Sequence, residues 1–257
     1  EKFNKKIFCT LGPSSLNPIV ISTLDKIGVD IFRLNLSHTK VDDIKNFVQL
    51  IRDNSDVPIC LDTQGAQLRT GSLSEGTKEL AYGESVELVS AGSEMGHGGI
   101  PIYPGQNVSN FIVGDYLSVD FDGAMLEVVC SDRRCEAVVI RSGMVGSNKA
   151  ISLINRTIDL PALTNSDLTA IDIGMDIGIR HVALSFANKS SDVDKLREIT
   201  GPEVSIISKI ESRSGLDQLD SILSSTDAIL IDRGDLSREV RLETIPAVQK
   251  EIIRRAN

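Results

Sequence analysis

The chain has 257 residues, 41% of them hydrophobic and 25% charged, with a formal net charge of -9. That is the balance of a globular protein long enough to bury a core, in one large barrel or two ordinary domains. It excludes a general nucleic-acid binder, which shows a concentrated basic face, and no apolar run approaches the roughly 18 residues that cross a bilayer.

The start, EKFNKKIFCTLG, has no secretory cleavage pattern, so the reading is a cytoplasmic chain or a mature part of something larger. A first residue that is Glu rather than Met, and an end inside the helical pattern ETIPAVQKEIIRRAN, point to a fragment. Cys9, Cys60, Cys130 and Cys135 are too scattered for a disulfide framework. Cys9 and Cys60 sit in apolar runs and are expected in the core. Cys130 and Cys135 have no His nearby to complete a zinc site.

From the amino end, the pattern predicts a strand over Lys6–Leu11, a helix over Pro18–Ile27, a strand over Ile31–Asn35, a helix over Val41–Arg52 and a strand over Pro58–Asp62. Near-continuous apolar strands alternating with helices indicate a parallel sheet covered on both faces. From about Gly71 to Asp159 short runs such as SVELVS, YLSVDF, AMLEVV and EAVVI recur between turn residues, which is the pattern of an all-β insert. GHGG at 96–99 reads as a flexible turn in that insert, since no helix start follows it. Alternation then resumes: helix Ser166–Gly178, strand His181–Phe186, helix Asp192–Ile199, strand Ser205–Ile210, helix Gly215–Leu223, strand Ala228–Ile231 and a last helix. The expected architecture is α/β, six of the eight units of a TIM-type (β/α) barrel, with barrel segments 1–71 and 159–257 flanking an inserted β-barrel lid domain at 72–158.

In such barrels chemistry sits where strands end. The ends here are polar: Thr10-Leu11-Gly12-Pro13, Arg33-Leu34-Asn35-Leu36-Ser37-His38, Asp62-Thr63-Gln64-Gly65, Ser185-Phe186-Ala187-Asn188-Lys189, Lys209-Ile210-Glu211 and Asp232-Arg233-Gly234-Asp235. A single polar end is an ordinary turn or cap. Their coincidence on one rim is the mark of a site.

The motifs RLNLSH, DTQGAQLRTG, ISKIES and DRGDLSRE, with KIFCTLGPSS before them and DLPALTNSDLTAI at the return from the insert, resemble the pyruvate kinase family over nearly the entire chain. The resemblance implies metal-dependent phosphoryl transfer between phosphoenolpyruvate and ADP, giving pyruvate and ATP. It implies Glu211 and Asp235 as ligands of Mg²⁺ or Mn²⁺, a role suited to hard oxygen donors. It makes Lys209 and Arg33 the catalytic and phosphate-binding cations, and Gly234 and Asp235 further substrate contacts. Asn35, Ser37, Asp62 and Thr63 match a K⁺ site, and Asn35, His38 and Arg69 match positions facing the nucleotide. No nucleic acid or membrane is implied; an oligomer or a longer chain is.

The chain departs from the family's motifs at several places. Gln64, Ala66 and Gln67 stand where the family has Lys, Pro and Glu, which weakens the case for K⁺ dependence. Asp232 replaces a small residue and brings an anion to an anion site, so it is expected to weaken phosphoenolpyruvate binding unless it points away, pairs with a cation or recruits metal. Ser237 replaces a Gly. The family continues into two further strands and a C-terminal domain, so the 257 residues alone are expected to be weakly active or inactive. Two alternatives are a kinase-like barrel kept for ligand sensing or assembly, and a metal-dependent pyruvate-enolate lyase.

Overall fold

Phe8–Leu11 (β1), Ile31–Asn35 (β2) and Ile59–Asp62 (β3) form where apolar runs end at turn or helix signals. Between them lie helices Pro18–Lys26 (α1) and Ile44–Arg52 (α2). Asn17 caps α1 by accepting from the Val20 N–H at 3.0 Å, and Pro18 occupies the first turn, where a missing N–H costs nothing. The structure, a computed structural model, describes residues 6–92, 99–120, 123–130, 134–156 and 158–257. Of the GHGG turn only Gly99 falls among the described residues.

The next nine strands are Leu68–Thr70 (β4), Thr77–Leu80 (β5), Ser85–Ser90 (β6), Ile100–Tyr103 (β7), Tyr116–Val119 (β8), Met125–Cys130 (β9), Cys135–Arg141 (β10), Gly143–Gly146 (β11) and Ala150–Leu153 (β12). Seven of them close into a barrel in the order β10-β6-β7-β4-β12-β8-β9, and β11 pairs with β5 as a separate ribbon. Its core, including Leu88, Ile100, Ile102, Phe111, Leu117 and Leu126, is drawn wholly from residues between Leu68 and Ile151. By chain contacts the molecule divides into two compact units, Glu1–Ala66 with Pro161–Asn257, and Gln67–Leu160. A closed barrel with a private core has no exposed strand edge to cover. Residues 67–160 expressed alone are therefore expected to give a β-type circular dichroism spectrum and one cooperative urea transition, with a stability on the order of 5 kcal/mol. A gradual, non-cooperative curve would show that this unit depends on the rest of the chain.

The first unit resumes with helix Asn165–Asp176 (α3), strand His181–Leu184 (β13), helix Ser190–Thr200 (α4), strand Ser205–Ile210 (β14), helices Arg213–Asp217 (α5) and Leu219–Ser225 (α6), strand Ala228–Ile231 (β15), a short helix Arg233–Leu236 (α7) and helix Ile245–Ala256 (α8). One continuous helix is expected over 215–223. Instead the chain breaks at Gln218, the C-cap of α5, whose φ of -104° and ψ of 15° leave the helical region. Its six strands pair in parallel in the order β1-β2-β3-β13-β14-β15, with β1 and β15 at the edges.

One face of this sheet packs on the helices. Phe32, Leu34 and Leu61 are buried with residues of α1, α2 and α3, and Val182, Leu184, Ile206 and Ile210 with residues of α4, α6 and α8. On the other face Ile31, Cys60, Ala183 and Ile207 form a small cluster with Leu230. Side chains two residues apart on a strand return to the same face. Two residues beyond that cluster come Arg33, Asp62, Ser185, Lys209 and Asp232, all polar. An apolar floor thus carries a charged layer above it.

All four cysteines are free thiols. Cys60 is fully buried as expected, its thiol pushed up to about 12 by burial and by Asp62. Cys9 is only partly buried, because β1 is an edge strand.

Candidate active site

Lys209 lies at the centre of the charged layer. Its Nζ is 2.9 Å from Glu211 Oε1, 3.3 Å from Asp62 Oδ1 and 3.7 Å from Asp232 Oδ2, and it donates to Ser185 Oγ at 3.0 Å. The lysine is 5% exposed and its partners Asp62 and Glu211 are 1% exposed. A buried cation held by three carboxylates stays charged. Burial works against the charge, but Glu211 and Asp62 outweigh it and raise the Lys209 pKa.

Each partner is itself held. Ser185 Oγ donates to Asp62 Oδ1 at 3.3 Å, and the Ser185 N–H donates to Thr63 Oγ1 at 3.0 Å. Arg33 Nε donates to Thr10 Oγ1 at 2.8 Å and lies 3.5 Å from Asp62 Oδ2, so the two cations share one carboxylate. Glu211 Oε2 accepts from the Phe186 N–H at 2.6 Å. Phe186 takes a φ of 50°, which is uncommon for a side chain of its size. Burial, opposed by Lys209, pushes Glu211 up to about 7, and burial raises Asp62 as well.

Beside Lys209, oxygens of Glu211, Asp232 and Asp235 all lie within 4.8 Å of one another. Asp235 comes from α7 and has Arg238 Nε 3.4 Å from its Oδ1. Glu211 Oε1 is buried, with the Lys209 ammonium 2.9 Å away. Three carboxylates with oxygens this close to one another are a donor set that fits a hard divalent cation.

Asp232 neither points away nor is left alone. It is the N-cap of α7: Oδ1 accepts from the Gly234 N–H at 3.1 Å and the Asp235 N–H at 3.5 Å, while Oδ2 faces Lys209. The Gly234 amide, expected to serve a substrate carboxylate, is thereby engaged by Asp232. A Cβ at Gly234 would meet only Asp232 Oδ1, at 3.3 Å. Ser237 fits without strain in the helical region, with φ of -67°, and its Oγ donates to Gly234 O at 2.7 Å.

Asn35 and Asp62 are direct register partners on β2 and β3. Asn35 Oδ1 accepts from the Ser37 N–H at 2.9 Å, and the exposed His38 donates its N–H to Asn35 O at 3.1 Å. Gln64 Nε2 donates to Leu36 O at 3.0 Å, tying the second loop to the third. The third loop is fixed in turn by buried Asp167 of α3, which accepts from the Gln64 N–H at 2.7 Å and the Gly65 N–H at 3.3 Å. Gly65, with φ of 74°, has no room for a side chain, because a Cβ would lie 2.6 Å from Ser185 O. Arg69 and Gln67 belong to the second unit, where Arg69 Nη1 donates to Asn148 O at 3.3 Å.

Sequence reading did not assign roles to Ser185, Phe186 or Asp167. Ser185 carries a readable signal, being two residues beyond the inward Ala183. Phe186 acts through its backbone and leaves no local pattern; Asp167 marks the start of α3 as the partner of Thr164 in a capping box, but its hold on Gln64 is a contact 103 residues away that the box does not reveal.

A parallel β/α sheet whose strand ends converge on a buried lysine, an arginine and a three-carboxylate cluster defines a barrel protein built to hold anionic and cationic groups side by side. Comparison with known proteins narrows the class. Residues 3–257 match the family model described as pyruvate kinase, barrel domain. The chain is 33% identical to a pyruvate kinase of Mycobacterium tuberculosis (strain CDC 1551 / Oshkosh) over 98% of this chain and 55% of that protein. It is 34% identical to one from Agrobacterium vitis over 97% of this chain and 54% of that protein, and 32% identical to one from Thermoplasma acidophilum over 98% and 45%. The chain belongs to the pyruvate kinase family, and it spans about half the length of the curated relatives it matches. No described helix is long and apolar enough to cross a membrane.

Proposed function

We propose that the protein passes a phosphoryl group between phosphoenolpyruvate and ADP, with pyruvate and ATP as the other pair. The observation that carries this is the buried, charged Lys209, which shares Asp62 with Arg33 on one side and adjoins the carboxylate cluster on the other. Phosphoryl transfer is catalysed mainly by positioning and by stabilising charge on the transferring oxygens. Lys209 supplies a fixed positive charge to those oxygens, and Arg33, 20% exposed at its side chain, reaches the phosphate. Glu211 and Asp235 would hold Mg²⁺ or Mn²⁺, which supplies Lewis-acid charge neutralisation when bound. Asn35, Ser37, Asp62 and Thr63 are our reading of a K⁺ site, supported by the pairing of Asn35 with Asp62. Asn35 and His38 are our reading of the nucleotide side within the first unit. A cytoplasmic location follows from this reading alone.

The test joins binding to turnover. Calorimetric titration with Mn²⁺ is expected to show at least tenfold weaker binding for Glu211→Gln and for Asp235→Asn than for wild type, since each loses a charged ligand. Pyruvate formation is followed in a coupled assay with Lys209→Met as the blank. Equal Mn²⁺ affinity in all three proteins would sink the assignment.

A further inference from the structure

We propose that Asp232 sets the specificity of this site by trading anion affinity for cation affinity: it adds a third carboxylate at the cation position and occupies the place beside Lys209 that an anionic substrate group would take. The inference rests on the reading of Glu211 and Asp235 as metal ligands and deepens it. Three observations carry it. Strand β15 aims Leu230 at the apolar floor, so Asp232, two residues on, returns to the charged layer. Its carboxylate already does what an anionic ligand would do there, accepting two backbone N–H groups with Oδ1 and facing the Lys209 ammonium with Oδ2. An oxygen of the same group lies within 4.8 Å of donor oxygens on both Glu211 and Asp235.

Among the three carboxylates facing Lys209, the side chains of Asp62 and Glu211 are 1% and 0% exposed, whereas that of Asp232 is 29% exposed. Asp232 is the most accessible of the three partners. Tethered to the site, it competes with a dissolved anion at high effective concentration. Without cation it masks Lys209; with cation its charge is drawn toward the ion. A charge within about 4–6 Å changes proton affinity by roughly one to three powers of ten, and partial exposure puts the effect here at the lower end, about tenfold in each direction.

One substitution therefore has two effects of opposite sign. Asp232→Asn keeps an oxygen to cap α7 and removes the charge; Asp232→Ala removes both, and thermal unfolding confirms that each variant is folded. By calorimetry, Asp232→Asn is expected to weaken Mn²⁺ binding about tenfold and to strengthen phosphoenolpyruvate binding, at saturating Mn²⁺, about tenfold. Phosphoenolpyruvate binding detectable only in the variants supports the inference equally. Unchanged Mn²⁺ affinity, or unchanged phosphoenolpyruvate affinity including binding too weak to detect in every protein, would overturn it. Loss of Mn²⁺ in Glu211→Gln alongside an unaltered Asp232→Asn overturns this inference and leaves the metal assignment standing. Absence of Mn²⁺ binding in wild type overturns both.

Discussion

Replacing Lys209 by Met should destabilise the protein by about 3–5 kcal/mol and, on the function proposed above, lower phosphoryl transfer by about 10³-fold, the stability loss being independent of any substrate. The stability loss follows from what the lysine leaves behind. Asp62 and Glu211 are each about 1% exposed, and Lys209 is the closest cation to both, at 3.3 and 2.9 Å. Arg33, 3.5 Å from Asp62, compensates one carboxylate in part, and nothing among the described residues compensates the other to the same degree. Breaking a buried pair costs more than the pair contributes, because the surviving charge stays out of water. A double-mutant cycle separates the two ideas. If uncompensated charge is the cause, adding Glu211→Gln to Lys209→Met recovers much of the lost stability in urea unfolding. If the double variant is no more stable than the single, the loss comes from packing of the lysine stem, and the electrostatic account of the layer is wrong.

The same layer shows what was readable in the sequence. Strand positions followed from apolar runs, and β2, β14 and β15 fall on the expected residues because each run ends abruptly at a charged or turn residue. The charged layer was legible by a simple rule, the residue two beyond each inward apolar one: Arg33 after Ile31, Asp62 after Cys60, Ser185 after Ala183, Lys209 after Ile207, Asp232 after Leu230. Asp232 stands out as a departure from the family's motif, and register explains why its side chain enters the site at all. What stayed hidden depends on backbone geometry or distant contacts. The short helix α7 has four residues, three of them polar or Gly, so no periodicity reveals it; its start is visible only through the Asp232 cap. The break at Gln218 and the left-handed Phe186 are set by tertiary packing, which local propensity does not encode. In the insert, β4 covers Leu68–Thr70, read from sequence as the end of a barrel loop, because three residues are too few to show alternation.

The pH dependence of folding without divalent metal should carry the signature of Glu211. Its carboxyl is raised from 4.5 to about 7, chiefly by burial and against the pull of Lys209. Between those values the folded state holds a proton that the unfolded state has released. A folded pKa above the unfolded one means that Glu211 contributes stability present below about pH 4.5 and lost as pH rises through about 7. The difference amounts to about 3 kcal/mol. Asp62, also raised by burial, acts with the same sign. His181 acts oppositely, since burial and then Lys6 lower its pKa, so that stability rises with pH as the unfolded histidine gives up its proton. The wild-type curve mixes these effects, and subtraction isolates one. Urea unfolding of wild type and Glu211→Gln at pH 5, 6, 7 and 8 in a chelator should give stabilities that diverge by about 2–3 kcal/mol across the series, with the variant gaining on the wild type as pH rises. Parallel curves would mean that Lys209 holds Glu211 ionised throughout. Millimolar Mg²⁺ should then remove most of the wild type's loss above pH 7 and stabilise Glu211→Gln less, because a cation bound only to the folded state stabilises it by mass action in proportion to its affinity and takes the place of the proton.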